Sequence, residues 1–168
     1  EGILADGGTN CATRAGLPPG QNYLEVLDVL DAYASDFPTL QREHAAAKLA
    51  GAFPSPATLR SLVVQGVNVS SPEDGLPPVA TAGSRALVSA ARRDDARPLW
   101  VVTGGSLSDV SRALHDAPEI ASKIRLYSVG SWNTQQDPWA RRRISQQPGL
   151  WWIEANTTFR GVYEGGNQ

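Results

Sequence analysis

"RPLWVVTGGSLSDVSRALHD", residues 97–116, reads as a strand running into a helix. The apolar run Leu99 to Val102 lacks polar alternation, which is the pattern of a buried strand in a parallel sheet. Thr103, Gly104 and Gly105 break the strand, and Ser106-Leu107-Ser108-Asp109 lead into a helical pattern over 107–115. A plain connection needs one turn residue. Two glycines followed by hydroxyls and a carboxylate suit a backbone that approaches a cleft.

Working outward, the same alternation continues on both sides. Downstream, the pattern predicts a short helix over 118–123, a strand over 124–129, a helix over 137–146, a strand over 150–154 and a loop over 156–163. Upstream, a helix is expected over 82–93, preceded by a loop over 66–82 that carries three prolines and two glycines. Ser55-Pro56 opens a helix running to about residue 65, with serine as N-cap and proline at the first helical position. Leu24, Leu27, Leu30 and Ala34 recur at three- and four-residue spacing and predict a helix over 21–34. Asp36-Phe37-Pro38 is expected to end it, with a second, alanine-rich helix over 39–49. A short strand over 3–5 ends at Asp6-Gly7-Gly8, and residues 9–20 read as loop. Helices alternating with short apolar strands predict an α/β fold with a parallel sheet and right-handed crossovers.

The bulk numbers narrow the function classes. With 168 residues, 41% hydrophobic and 19% charged, the chain has the make-up of one globular domain. A net charge of −2 gives no basic footprint for nucleic acid. No apolar run reaches the length of a membrane span, so no membrane partner is expected. The single cysteine, Cys11, excludes an intrachain disulfide framework and a cysteine-based zinc site. His44 and His115 lack metal-ligand spacing, and no GxSxG elbow is present. The chain starts with "EGILADGG", as if a strand were already under way, and lacks an initiator methionine; a single but incomplete domain over 1–168 is the expectation.

In α/β sheets, ligands sit outside the carboxyl ends of the strands. After the four expected strands come Asp6 to Asn10; Thr103 to Asp109; Gly130-Ser131-Trp132-Asn133-Thr134; and Glu154, Asn156, Thr157, Thr158 and Arg160. This polar, carboxylate-bearing rim suits a polyhydroxylated ligand such as a sugar, with Trp132 able to stack on a ring face. Local readings stand beside the functional ones. Ser106 or Ser108 can cap the following helix, Asp109 can favour its dipole, and Asp137 with Pro138 can open another. Glu154 and Arg160 can form a structural ion pair, Arg141-Arg142-Arg143 a solvated helix face, and Trp151-Trp152 a core strand with one ring at the cleft.

Three stretches, "YLEVLDVLDAYASDFPTL" (23–40), "RPLWVVTGGSLSDVSRALHDAPEIASKIRLYSVGSWNTQQDPWAR" (97–141) and "LWWIEANTTFRGVY" (150–163), resemble the nucleoside hydrolase-like domain of bacterial cellulose-binding and related secreted proteins. That domain is a branch of the inosine/uridine-preferring nucleoside hydrolase superfamily. The resemblance implies a mostly parallel, doubly wound sheet with helices on both faces. It implies an extracellular or periplasmic location and a small-molecule sugar or nucleoside as ligand. In nucleoside hydrolases a calcium ion at the strand ends binds ribose hydroxyls and a water, and an aspartate deprotonates that water. By the resemblance, "TGGSLSDV" stands where a backbone carbonyl ligates calcium, which falls on Ser108, and "WNTQQDP" stands where an asparagine holds the ribose, which falls on Asn133. Trp132, Asp109, Glu154, Asn156 and Arg160 complete the expected substrate-binding set.

The departures point the other way. The aspartate-rich DxDxxxDD segment that supplies most calcium ligands and the general base has no counterpart, and Ser131 replaces a glutamate. Calcium takes six to eight oxygens, so this chain alone is not expected to hold it. Three readings follow: part of an N-glycosidic hydrolase, a non-catalytic carbohydrate-binding module, or a scaffold or interaction domain that binds no small ligand.

Overall fold

A computed structural model of the chain describes residues 4–6, 23–67, 76–130, 133, 135 and 137–157. Among them the architecture is α/β, and every strand pairing is parallel. β1 (Leu4–Asp6) pairs with β2 (Val63–Gln65), Leu4 opposite Val63. β3 (Leu99–Thr103), β4 (Ile124–Val129) and β5 (Trp151–Ala155) form a second ladder in the order β3-β4-β5. The helical pieces between them are α1 (Tyr23–Ala46), α2 (Pro56–Ser61), α3 (Ala82–Ala91), α4 (Ser108–Asp116), a 3₁₀ turn over Pro118–Ser122, and α5 (Pro138–Ser145).

Two sequence expectations are corrected. Pro38 does not end the first helix; α1 runs through it unbroken. A proline removes one backbone hydrogen bond, but the sheltered positions Leu30, Tyr33, Ala34, Phe37, Leu40 and His44 keep helical phase on both sides of it. Tyr33 packs on Phe37 at 5.6 Å and donates its hydroxyl to Pro54 O at 2.8 Å, and Asp31 pairs with Arg60, so the half of α1 before Pro38 is held to α2 and the turn that precedes it. The second correction concerns 62–65. The helix opened by Ser55, which accepts from Thr58 N at 3.1 Å, stops at Ser61. Val63 and Val64 then enter a strand, as β-branched residues do when a parallel partner is available.

The core lies on one face of the β3-β4-β5 ladder. Ile124 and Leu126 are fully buried there with Val110 and Leu114 of α4, Ile120 of the 3₁₀ turn and Ile144 of α5. Each such side chain contributes about 1.5–3 kcal/mol by leaving water. The opposite face differs from the sequence expectation of strands buried throughout. β3 alternates in burial, and its register sets Trp100, Arg125 and Trp151 in one row and Val102, Tyr127 and Ile153 in the next. On that face Trp100, Val102, Trp151 and Ile153 are exposed.

Candidate functional site

The carboxyl ends of β3, β4 and β5 meet at one edge, because all three strands run the same way. After β3 the chain passes Gly104 and Gly105, where a Cβ would meet nothing within 4 Å. Their role is therefore not close packing against the described residues. Ser106 and Ser108 follow, and both hydroxyls donate to Asp137 Oδ2. Ser106 Oγ also accepts from Ser108 N at 3.1 Å. Asp137 Oδ1 accepts from Ala140 N at 3.3 Å, so the same carboxylate caps α5. It is 2% exposed. The serines thus do not cap α4 in the ordinary way; its N-cap position is Leu107, with no side-chain cap bond. They tie the β3–α4 turn to the start of α5. The cap of α5 by Asp137 with Pro138 next to it is as the sequence suggested.

Asp109 lies in the first turn of α4. Its Oδ2 accepts from Val67 N at 2.9 Å and its Oδ1 from the Thr81 hydroxyl. Thr81 in turn caps α3 in a capping box with Ser84. The carboxylate proposed from sequence for ligand binding therefore fastens the segment after β2 and the start of α3 onto α4.

Glu154, at the end of β5, accepts from Arg141 Nε and Nη2, both at 2.7 Å. Among the described residues the ion-pair partner is Arg141; the Arg160 weighed from sequence lies outside the described residues, with Trp132 and Ser131. Hydrogen bonding to Glu154 raises the Arg141 pKa above its ordinary value. The guanidinium also sits 5.9 Å from the Trp152 ring. Arg141 is thus not simply part of a solvated face. It lies in the first turn of α5, and its pairing with Glu154 of β5 is a long-range contact that no local pattern in the sequence marks. Asn133 is buried, and its Nδ2 donates to Val129 O at 3.2 Å, closing the end of β4. Asn156 is exposed beside it. Gly130 is required between them: a Cβ there would overlap Asn156 Oδ1 and reach 2.9 Å from Glu154 Cγ.

The structure therefore brings Ser108, Asn133, Glu154 and Asn156 to one strand-end edge and adds Ser106, Asp137 and Arg141 to it. Asp109 is held in the first turn of α4. Trp152 turns inward and donates to Ser128 Oγ at 2.9 Å, whereas Trp151 faces the open side of the sheet. Neither histidine joins the edge: His44 packs on Phe53, and His115 contacts Arg143.

Among the described residues the donor chemistry of this edge does not fit calcium. The carboxylates of Asp109, Asp137 and Glu154 each face N–H or O–H donors of the protein. Among the described residues no three His, Cys, Asp or Glu side chains gather as a ligand group. A hard cation wants six to eight free oxygens instead. One buried side-chain oxygen without a partner, Thr103 Oγ1 at the end of β3, is far short of that number.

Comparison with known proteins agrees with this fold. A family model described as "Cellulose-binding Sde182, nucleoside hydrolase-like domain" matches residues 3–166. A solved nucleoside hydrolase-related hypothetical protein from Saccharophagus degradans, described as associated with carbohydrate metabolism, superposes with a TM-score of 0.66 at 24% identity. The match covers 92% of this chain and 36% of that one, so the chain spans about a third of the length of its solved relative. No curated protein matches the sequence.

Proposed function

The chain belongs to the cellulose-binding Sde182, nucleoside hydrolase-like family, and from that premise we propose that its strand-end edge recognises a sugar without itself cleaving a glycosidic bond. One observation carries the choice. All three described carboxylates at or near the edge are already held by protein donors: Asp109 by Val67 and Thr81, Asp137 by Ser106, Ser108 and Ala140, Glu154 by Arg141. A general base for glycosidic hydrolysis must reach the attacking water with a free oxygen. Sugar recognition needs oriented hydrogen-bonding groups instead. The Arg141–Glu154 pair supplies a fixed guanidinium with half-exposed donors, and Asn156 supplies an amide beside it. Asn133, Trp132 and Arg160 belong to the same proposed binding set. Hydrolysis of an N-glycosidic bond is the second reading, supported by the nucleoside hydrolase-like character of the family. It requires carboxylates and metal ligands from outside the described residues.

Thermal unfolding with ribose, cellobiose or calcium, alongside an assay of inosine cleavage, separates the two. A ligand that binds only the folded chain raises the midpoint. The expected result is a rise with sugar, no rise with calcium and no cleavage. Cleavage of inosine by this chain would sink the non-catalytic reading. Absence of any sugar-dependent shift would sink the recognition reading.

A further inference from the structure

We propose that the cleft along the exposed side of α3 binds an acidic glycan, a sugar chain that carries carboxylates, independently of the strand-end edge. The cleft has a volume of about 470 Å³. Arg85, Val88 and Ser89 of α3 line it with Arg92 and Arg93, which end that helix, and Asp116 at the end of α4 faces them. Arg92, Arg93 and Asp116 stand where the chain turns toward the starts of β3 and β4, away from the strand-end edge. Residues 85, 89, 92 and 93 share one helix face by their spacing. No acidic residue lies on α3, so this is not the mixed-charge face of an ordinary solvated helix. Arg92 and Arg93 suit the carboxyl end of a helix, where the dipole favours cations. Arg85 does not. It lies near the amino end, where the dipole opposes a cation. Among the described residues its guanidinium meets a backbone carbonyl, Ala80 O at 2.8 Å, and no carboxylate. Helix stability leaves Arg85 unexplained, and a ligand anion explains it.

The acids nearby do not cancel this charge. Arg112 takes both oxygens of Asp116, and Glu119 pairs with Arg92. Asp95, just beyond the helix, is held by Arg97. Four arginines thus meet two acids at the cleft, on a chain whose net charge is −2. Both members of the Arg92–Glu119 pair are more than half exposed, so a ligand carboxylate replaces Glu119 at little cost. The order of groups along the cleft names the ligand class. Arg85 and Arg93 are about 12 Å apart along the helix axis at 1.5 Å per residue. Between them come the half-buried Val88 side chain and the Ser89 hydroxyl. Charge, apolar patch with hydroxyl, then charge is the pattern of a carboxylate, a sugar ring and a second carboxylate. A guanidinium meets a carboxylate with two parallel N–H donors. A lone phosphate needs its donors gathered at one point, and a neutral glycan needs no guanidinium at either end.

The test is calorimetric titration of the 168-residue chain with trigalacturonate, with cellotriose as a neutral sugar of equal length, and with inorganic phosphate. The proposal expects saturable binding of trigalacturonate that weakens as NaCl rises from about 0.05 M to about 0.5 M. Arg85→Gln and Arg93→Gln should each weaken it about fivefold, the scale of one partly exposed ion pair. Arg97→Gln, whose native partner is Asp95, should leave it unchanged, and every variant is checked for a native circular dichroism spectrum. Any heat from cellotriose, which the strand-end reading predicts, should be the same in the Arg85 and Arg93 variants as in the natural chain. Failure of one reading is thereby told from failure of the other. No binding of trigalacturonate, or binding indifferent to both substitutions, would overturn the proposal. Phosphate that binds as tightly as the trimer and displaces it would assign the cleft to a phosphate group instead. A loss that follows Arg141→Gln and not Arg85→Gln would move the acidic sugar to the strand-end edge, which also overturns it.

Discussion

At the scale of single residues, Asp137 holds the most together. It is buried, and three protein donors meet it: two hydroxyls from the β3–α4 turn and the backbone N–H of Ala140. Replacing it with alanine strands those donors in a dry place and removes the cap of α5. A lost cap costs about 1 kcal/mol, and an unsatisfied buried donor about 1–3 kcal/mol. Asp137→Ala should therefore lower unfolding free energy by about 3 kcal/mol, read from urea titration. Ser106→Ala removes one donor and leaves the carboxylate those of Ser108 and Ala140, so its loss should stay near 1 kcal/mol. Equal losses would mean that the two serines, and not the carboxylate, organise the turn. The sequence showed Asp137 as a cap, because aspartate before proline is a local signal. It did not show the serine clamp, because residues 106 and 137 meet only after two strands pair. Glu154 was legible as a strand-end residue for the same local reason, and its true partner Arg141 was hidden for the same long-range one.

At the scale of elements, α1 teaches the limit of reading proline as a stop. The apolar stripe passes through Pro38 in phase, from Leu30 to His44, and that continuity was visible in the letters. What outweighs the lost hydrogen bond is tertiary: Tyr33 on Pro54 and the Asp31–Arg60 pair hold the half before Pro38, and His44 on Phe53 holds the half after it. Pro38 is exposed, so its side chain contributes little packing. Pro38→Ala restores a donor to the helix interior, where proline costs about 3 kcal/mol relative to alanine. It also frees the unfolded chain, which takes back up to about 1 kcal/mol. The net expectation is a gain of about 1–2 kcal/mol, measured by chemical denaturation, with higher helical ellipticity. A loss of stability would show that the helix needs the local geometry proline imposes. β2 escaped the sequence reading for a related reason. Three residues carry too little pattern to be told from a helix end, and only the pairing with β1 decides them.

At the scale of the whole molecule, the α/β class was legible throughout the second half, because each strand and helix there has its own period and its own turn residues. The open face was not legible: composition announced burial on both sides, and composition cannot say which layer supplies it. Electrostatics also acts at this scale, through exposed pairs that join consecutive pieces. Arg92 of the α3 cap reaches Glu119 of the 3₁₀ turn, and Arg97 folds back on Asp95 just before β3. Hydrogen bonds from Arg97 hold the Asp95 carboxyl well below the usual carboxylate range, and those from Arg92 lower Glu119. Both folded pKa values lie below their unfolded ones, so the unfolded chain binds protons more readily. Their contribution is then present above about pH 4, the ordinary carboxylate range, and drains away as pH falls through the folded values. The thermal midpoint should be flat from pH 7 to about 5 and fall below about pH 4. Both carboxylates are exposed at the surface, so the effect should be modest and should shrink with added salt. Arg97→Ala supplies the check. Its midpoint should lie below that of the natural chain at pH 7, and the two should converge as Asp95 becomes protonated. Curves that stay parallel down to about pH 2 would show that Arg97 acts through packing and not through the Asp95 charge.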